Sequence, residues 1–107
     1  MQNGFNSTTI RLILLGNDNF SLQSLKAILE LINSSDCVQV VVSNEKNVVG
    51  KYSVALQLNR IIWDEFKSLG NQDQFHLGVV ASFGHLIPKR IIEKCELYVN
   101  LLVLIFI

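Results

Sequence analysis

The side chains able to do chemistry in this 107-residue sequence gather just past its apolar runs. Gly16-Asn17-Asp18-Asn19 follows the first run, Ser43-Asn44-Glu45-Lys46 the second and Ser82-Phe83-Gly84-His85 the third. If those runs are parallel strands, the three segments share the carboxyl edge of one sheet, where open α/β sheets hold their ligands. Asp18 is the sole acid of the first loop, and capping the helix that follows is the commoner use of such a residue. His85 sits in a strand-to-helix loop, where an imidazole can serve as acid or base. No carboxylate or Cys is placed in sequence to orient it, so a packing or solvent-facing role is the alternative. His76 opens a strand and is expected at a rim. Lys46 and Lys51 flank the second crossover loop, within reach of a phosphate, or else form a solvated pair on a neutral surface. These residues alone assemble no complete active site.

Other chemistries are excluded more firmly. The first loop has one glycine where a dinucleotide fingerprint needs three, so nicotinamide and flavin binding are not expected. Neither a phosphate-cradling P-loop nor a Gly-x-Ser-x-Gly elbow is present. Cys37 and Cys95 stand far apart without clustered ligands, so no metal is expected and both read as reduced thiols. Nine basic and nine acidic residues balance to zero net charge, which argues against a dedicated DNA binder. Charged residues make up 17% of the chain, below the roughly 25% of average soluble proteins, and with half the residues hydrophobic this excludes intrinsic disorder.

The charges stop at Glu96, and the run from Leu97 to Ile107 is apolar except for Asn100. It falls short of the ~20 residues a membrane-spanning helix needs, so no membrane role is expected. It reads instead as a buried strand, with the aggregation hazard of an uncharged, proline-free β segment. MQNGFNSTT at the start is polar and lacks the order of a secretory signal or an arginine-rich presequence.

Ile10–Leu15 reads as a buried strand stopped by Gly16. Phe20, Leu22, Leu25, Ile28, Leu29 and Ile32 recur at helical spacing, with Asp18, Asn19 or Ser21 as the cap. Cys37–Ser43 is a second strand, which makes Ile10–Ser43 one βαβ unit of the usual ~30 residues. A helix follows at Tyr52–Leu58, then a short edge strand at Arg60–Trp63 and a short helix over Asp64–Leu69 capped by Asp64. Phe75–Ala81 is the next strand, and Pro88 opens a further helix at its first position. The apolar run supplies the last strand. Such alternation specifies an open α/β sheet.

Three stretches of this sequence carry a family resemblance. LILLGNDNFSLQSLKAI resembles the opening of methionyl-tRNA formyltransferases, a strand followed by Gly-Thr-x-x-Phe-Ser/Ala and a helix, with Asn17 in place of the threonine. VVASFGHLIPKRIIEKC resembles that family's strand, loop and Ile/Leu-Pro-Lys helix. Between them, VVGKYSVALQLN with a downstream Trp is similar to the mitochondrial form. The resemblance runs from about Ile10 to Cys95. It implies a Rossmann-like, mostly parallel open sheet with helices on both faces. It also implies 10-formyltetrahydrofolate as formyl donor, initiator methionyl-tRNA as acceptor and the mitochondrial matrix as location. Phe83, Gly84, His85, Leu86 and Ile87 would border the folate pocket, largely through backbone groups. Lys46 and Lys51, in the segment Asn44–Lys51, would lie near the acceptor end of the tRNA.

The family continues with a strand carrying Asn-x-His, then Ser-Leu-Leu-Pro and a later aspartate. There Asn and His polarise the formyl oxygen while the amine attacks, and the aspartate supports the histidine. Here Asn100 matches the asparagine to within about one residue, but Leu102 stands where the histidine should be. No Ser-Leu-Leu-Pro follows, and the last aspartate is Asp73. The expected organisation is a polar extension over 1–9, the N-terminal part of a formyltransferase domain over 10–96 and a divergent apolar tail over 97–107. Three readings stay open: an inactive N-terminal piece of methionyl-tRNA formyltransferase, a non-catalytic α/β binding or regulatory module, or another folate-dependent formyltransferase.

Overall fold

The computed structural model describes residues 10–32, 34–69 and 74–101. Strands β1 (Leu12–Gly16), β2 (Val38–Val42), β3 (Asn59–Ile62), β4 (Phe75–Ala81) and β5 (Cys95–Leu101) form one sheet in the order β3-β2-β1-β4-β5. Every neighbouring pair is parallel. This is the Rossmann-like, doubly wound order, in which the chain winds outward from β1 in one direction and then from β4 in the other. The polar segment 1–9 lies outside the described residues, as do Asn33, Asp73 and the tail beyond Leu101.

Helices cover both faces because the strands are apolar on both. On one face α1 (Asn19–Leu31) and α2 (Val48–Ala55) lie over Leu12, Leu14, Val38, Val40 and Val42. Leu25 is the fully buried apolar contact of α1, with Leu22, Ile28, Leu29 and Ile32 packed around it. Phe20, counted with that face in sequence, is exposed instead: it falls in the first turn, at the edge of the stripe. On the other face α3 (Trp63–Ser68) and α4 (Lys89–Ile92) bring Trp63, Phe66 and Ile91 against Ile13, Leu15, Val41 and Val80.

Local chemistry places the helix starts. Asp18 caps α1 by accepting from the Ser21 amide at 3.1 Å, and Ser21 returns a bond to the cap backbone. Such a box is worth about 0.5–2 kcal/mol. The helix expected at Tyr52–Leu58 begins four residues earlier, because Asn47 caps it by accepting from the Gly50 amide at 2.8 Å. It ends early too, where Gln57 turns to φ 56. Asp64 does not cap α3. Ile62 holds the cap position without a side-chain bond, and Asp64 lies in the first turn, 3.5 Å from the Lys67 ammonium. Pro88 stands at the cap of α4, one place before the position expected. β5 starts at Cys95, two residues before the uncharged run, so Glu96 lies within the strand.

Candidate functional site

The reversal of winding leaves a crevice outside the carboxyl ends of β1 and β4, which pair with Gly16 opposite Ala81. Gly16 is required there by close approach. A Cβ on it would run into the Ser21 side chain and come within 2.9 Å of the Ala81 carbonyl oxygen. The Ser21 hydroxyl fills that space and donates to the same carbonyl, tying the start of α1 to the end of β4.

The next residue, Asn17, is the hub of the site. Its Oδ1 accepts from the Ser43 amide at 2.8 Å and from Asn47 Nδ2 at 3.0 Å. Its Nδ2 donates to Ser43 Oγ at 2.8 Å and to the Phe83 carbonyl at 2.7 Å. An amide side chain offers two donor hydrogens and two acceptor lone pairs, and all four are used. One side chain thereby joins the carboxyl ends of β1 and β2, the cap of α2 and the loop after β4.

That loop is held in an unusual shape. Ser82 has φ 51 and Gly84 φ 82, so two left-handed residues flank Phe83. For serine this conformation is uncommon, and it marks a segment whose surroundings dictate its path. The Phe83 ring is driven into the core, 3% exposed, and meets Trp63 edge-on at 5.1 Å between centroids. The His85 ring lies 4.7 Å from Phe83 and 5.7 Å from Trp63. Its Nε2 is 2.7 Å from Ser43 Oγ, across the crevice.

Beside this cluster an open depression of about 440 Å³ is lined by Val80, Gly84, His85, Leu86, Ile87, Ile92 and Tyr98. Among the described residues its lining holds no Asp, Glu, Lys or Arg. Gly84, His85, Leu86 and Ile87 thus come together at its wall, whereas the Phe83 side chain is a core anchor and offers the site only its backbone. Tyr98 is held as a neutral phenol, because burial, and then the neighbouring Cys95, push its ionisation up. Burial likewise raises the Cys95 thiol, which packs where Gly78 leaves room; a Cβ there would come 2.5 Å from Cys95 Sγ. Both cysteines are free.

Asn100 lies on β5 with its backbone in register with Val80. Lys46 and Lys51 are exposed around the start of α2, and their ammonium groups make no ion pair among the described residues. Glu45 beside them is neutralised by Arg60 at 2.6 Å. His76 belongs to the opposite rim: its Nδ1 accepts from the Arg11 amide at 3.0 Å. Among the described residues no cluster of His, Cys, Asp or Glu could hold a metal ion, and no helix is long and apolar enough to cross a membrane.

The sequence placed Asn17 and Ser43 at the shared carboxyl edge without a role for either side chain, and it gave no sign that Trp63 and Tyr98 join them. The available signal was that each inner strand ends on a short amide or hydroxyl residue, Asn17, Ser43 and Ser82, in place of the acids and bases a catalytic search looks for. Compared with known protein families the chain matches none, and no curated protein matches it.

Proposed function

We propose that this chain is the folate-binding portion of a formyltransferase of the methionyl-tRNA type, which holds 10-formyltetrahydrofolate but does not transfer the formyl group unaided. The observation that carries the reading is the state of the Ser82–Pro88 loop, whose sequence resembles that family. Its Gly84, His85, Leu86 and Ile87 backbone groups make no backbone hydrogen bonds among the described residues, and the segment lines a depression whose described lining holds no Asp, Glu, Lys or Arg. Backbone polar groups left open beside apolar walls suit a flat heterocycle with donors and acceptors along its edge. Val80, Ile87, Ile92 and Tyr98 would cover its faces.

Transfer requires a donor to the formyl oxygen as the amine attacks, and a base to take the amine proton. Asn100 offers the first on the family pattern, but position 102 is Leu, which can do neither. Initiator tRNA would approach from the side of Lys46 and Lys51. Isothermal titration with a stable 10-formyl folate analogue tests binding, and a formyl-transfer assay with charged initiator tRNA tests chemistry. Saturable binding with one site and a micromolar-to-millimolar Kd, about −8 to −4 kcal/mol, is expected, without transfer. Absence of saturable binding sinks the folate reading. Transfer abolished by Asn100→Ala sinks the claim of inactivity. If tRNA retention is unchanged by Lys46→Ala with Lys51→Ala, the tRNA side is misplaced.

The leucine at position 102 favours one second reading, a non-catalytic α/β binding module with a different flat ligand. Selective binding of a non-folate heterocycle in the same titration would support it.

A further inference from the structure

The hydrogen-bond chain Asn17–Ser43–His85 has its side-chain amide orientations set by backbone groups at its start. Asn17 Oδ1 faces the Ser43 amide, which can only donate, and Asn17 Nδ2 faces the Phe83 carbonyl, which can only accept. Asn47 is fixed in the same way, because its Oδ1 accepts from the Gly50 amide and its Nδ2 therefore turns to Asn17. No rotation of either side-chain amide satisfies these partners. Asn17 Nδ2 must then donate to Ser43 Oγ. Ser43 keeps its own proton, and its remaining neighbour at 2.7 Å is His85 Nε2. If the hydroxyl donates there, Nε2 is an acceptor and the neutral ring carries its hydrogen on Nδ1. His85 Nδ1 has no protein partner among the described residues, and the residue lines the depression.

We propose that His85 meets a ligand in this depression as an Nδ1–H donor, held in that tautomer by Asn17 acting through Ser43. Asn17 and Ser43 are positioning residues, and His85 is the ligand-contacting group. The lining holds no Asp, Glu, Lys or Arg among the described residues, and its imidazole and phenol can both donate. The chemistry selected is an uncharged, flat ring system that presents a carbonyl-type acceptor, as the pterin end of a folate does, with any carboxylate of the ligand left outside the depression. The tautomer is a property of the free chain. It deepens the formyl-folate reading of the same site, and only the affinity part of its test rests on that reading.

Long-range ¹H–¹⁵N correlation spectra of the free chain, recorded on the neutral ring, read the tautomer directly. An Nδ1–H majority is expected for His85, against the Nε2–H form that an unconstrained neutral imidazole favours. Ser43→Ala should return the ring to the Nε2–H majority, and Ser43→Thr, which keeps the hydroxyl, should restore Nδ1–H. A stable 10-formyl folate analogue should bind the Ser43→Ala chain about 3- to 10-fold more weakly, the worth of one neutral hydrogen bond. An Nε2–H majority in the unmodified chain, or a tautomer indifferent to Ser43→Ala, overturns the proposal. Analogue affinity unchanged while the tautomer switches overturns the ligand contact. Failure of the analogue to bind with the tautomer as expected removes the folate reading and leaves the positioning chain standing.

Discussion

Asn17→Ala is the most informative single perturbation of this molecule, because one truncation cuts the ties among three strand ends. The side chain makes four hydrogen bonds between 2.7 and 3.0 Å. Each is worth about 0.5–1.5 kcal/mol net, so the gross loss is bounded at about 2–6 kcal/mol. The site is part-buried and opens onto solvent, so water can reach some of the abandoned groups. The Phe83 carbonyl and Ser43 amide are the hardest to resatisfy, which puts the expected cost at about 2–3 kcal/mol. Against a usual total of 5–15 kcal/mol that is a large share. At about 4–8 °C per kcal/mol for a domain of this size, Tm should fall by about 10–20 °C.

The assay is urea unfolding followed by fluorescence of the single tryptophan, Trp63, which is 3% exposed when folded, with far-UV circular dichroism as a second probe. The midpoint should drop with the slope unchanged, since the surface exposed on unfolding is the same. Asn17→Asp refines the test. It preserves size and both acceptor positions, yet removes the donors to Ser43 Oγ and Phe83 O and sets a carboxylate oxygen against a carbonyl. It should be at least as damaging as alanine. A cost below about 0.5 kcal/mol for either substitution, the range of ordinary surface changes, would refute the claim that this amide organises the crevice.

Two other predictions concern the same sheet. Gly16→Ala should destabilise by about 1–3 kcal/mol through overpacking, read as a lowered urea midpoint, because the new methyl meets the Ala81 carbonyl within 2.9 Å and the Ser21 side chain; an unchanged midpoint would show that α1 can slide. Alkaline pH should weaken the fold. Cys95 and Tyr98 both ionise at raised pH when folded, so above the ordinary thiol range of about 8.5 the folded chain holds more protons than the unfolded one and stability falls as pH rises. Denaturation midpoints at pH 7.5 and 9.5 should show that decline, reduced in Cys95→Ala, and a flat profile would contradict it.

Much of the architecture was legible in the residues because periodicity is a local property. The apolar runs before Gly16, Ser43 and Ser82 became β1, β2 and β4, and the three- and four-residue spacing around Leu25 became α1. Helix starts were less legible where a cap outweighed propensity. The polar crossover segment reads as loop as far as Lys51, yet Asn47 caps a helix that starts at Val48. The acid Asp64 looked like a cap and proved to be a first-turn residue, because β3 runs directly into α3 and leaves Ile62 at the junction.

Sequence alone determined an alternating α/β chain, its neutral balance, and the placing of its polar residues at strand ends. Those facts depend on neighbours a few positions away. Tertiary structure alone decided that β4 lies beside β1, which places residue 17 next to residue 83 and residue 43 next to residue 85. Hydrogen-bond valence then made Asn17 a hub and sent the Phe83 ring inward while His85 stayed at the rim. No local pattern encodes that outcome, because the partners of Asn17 lie 26, 30 and 66 residues away and meet only when the sheet closes the distance.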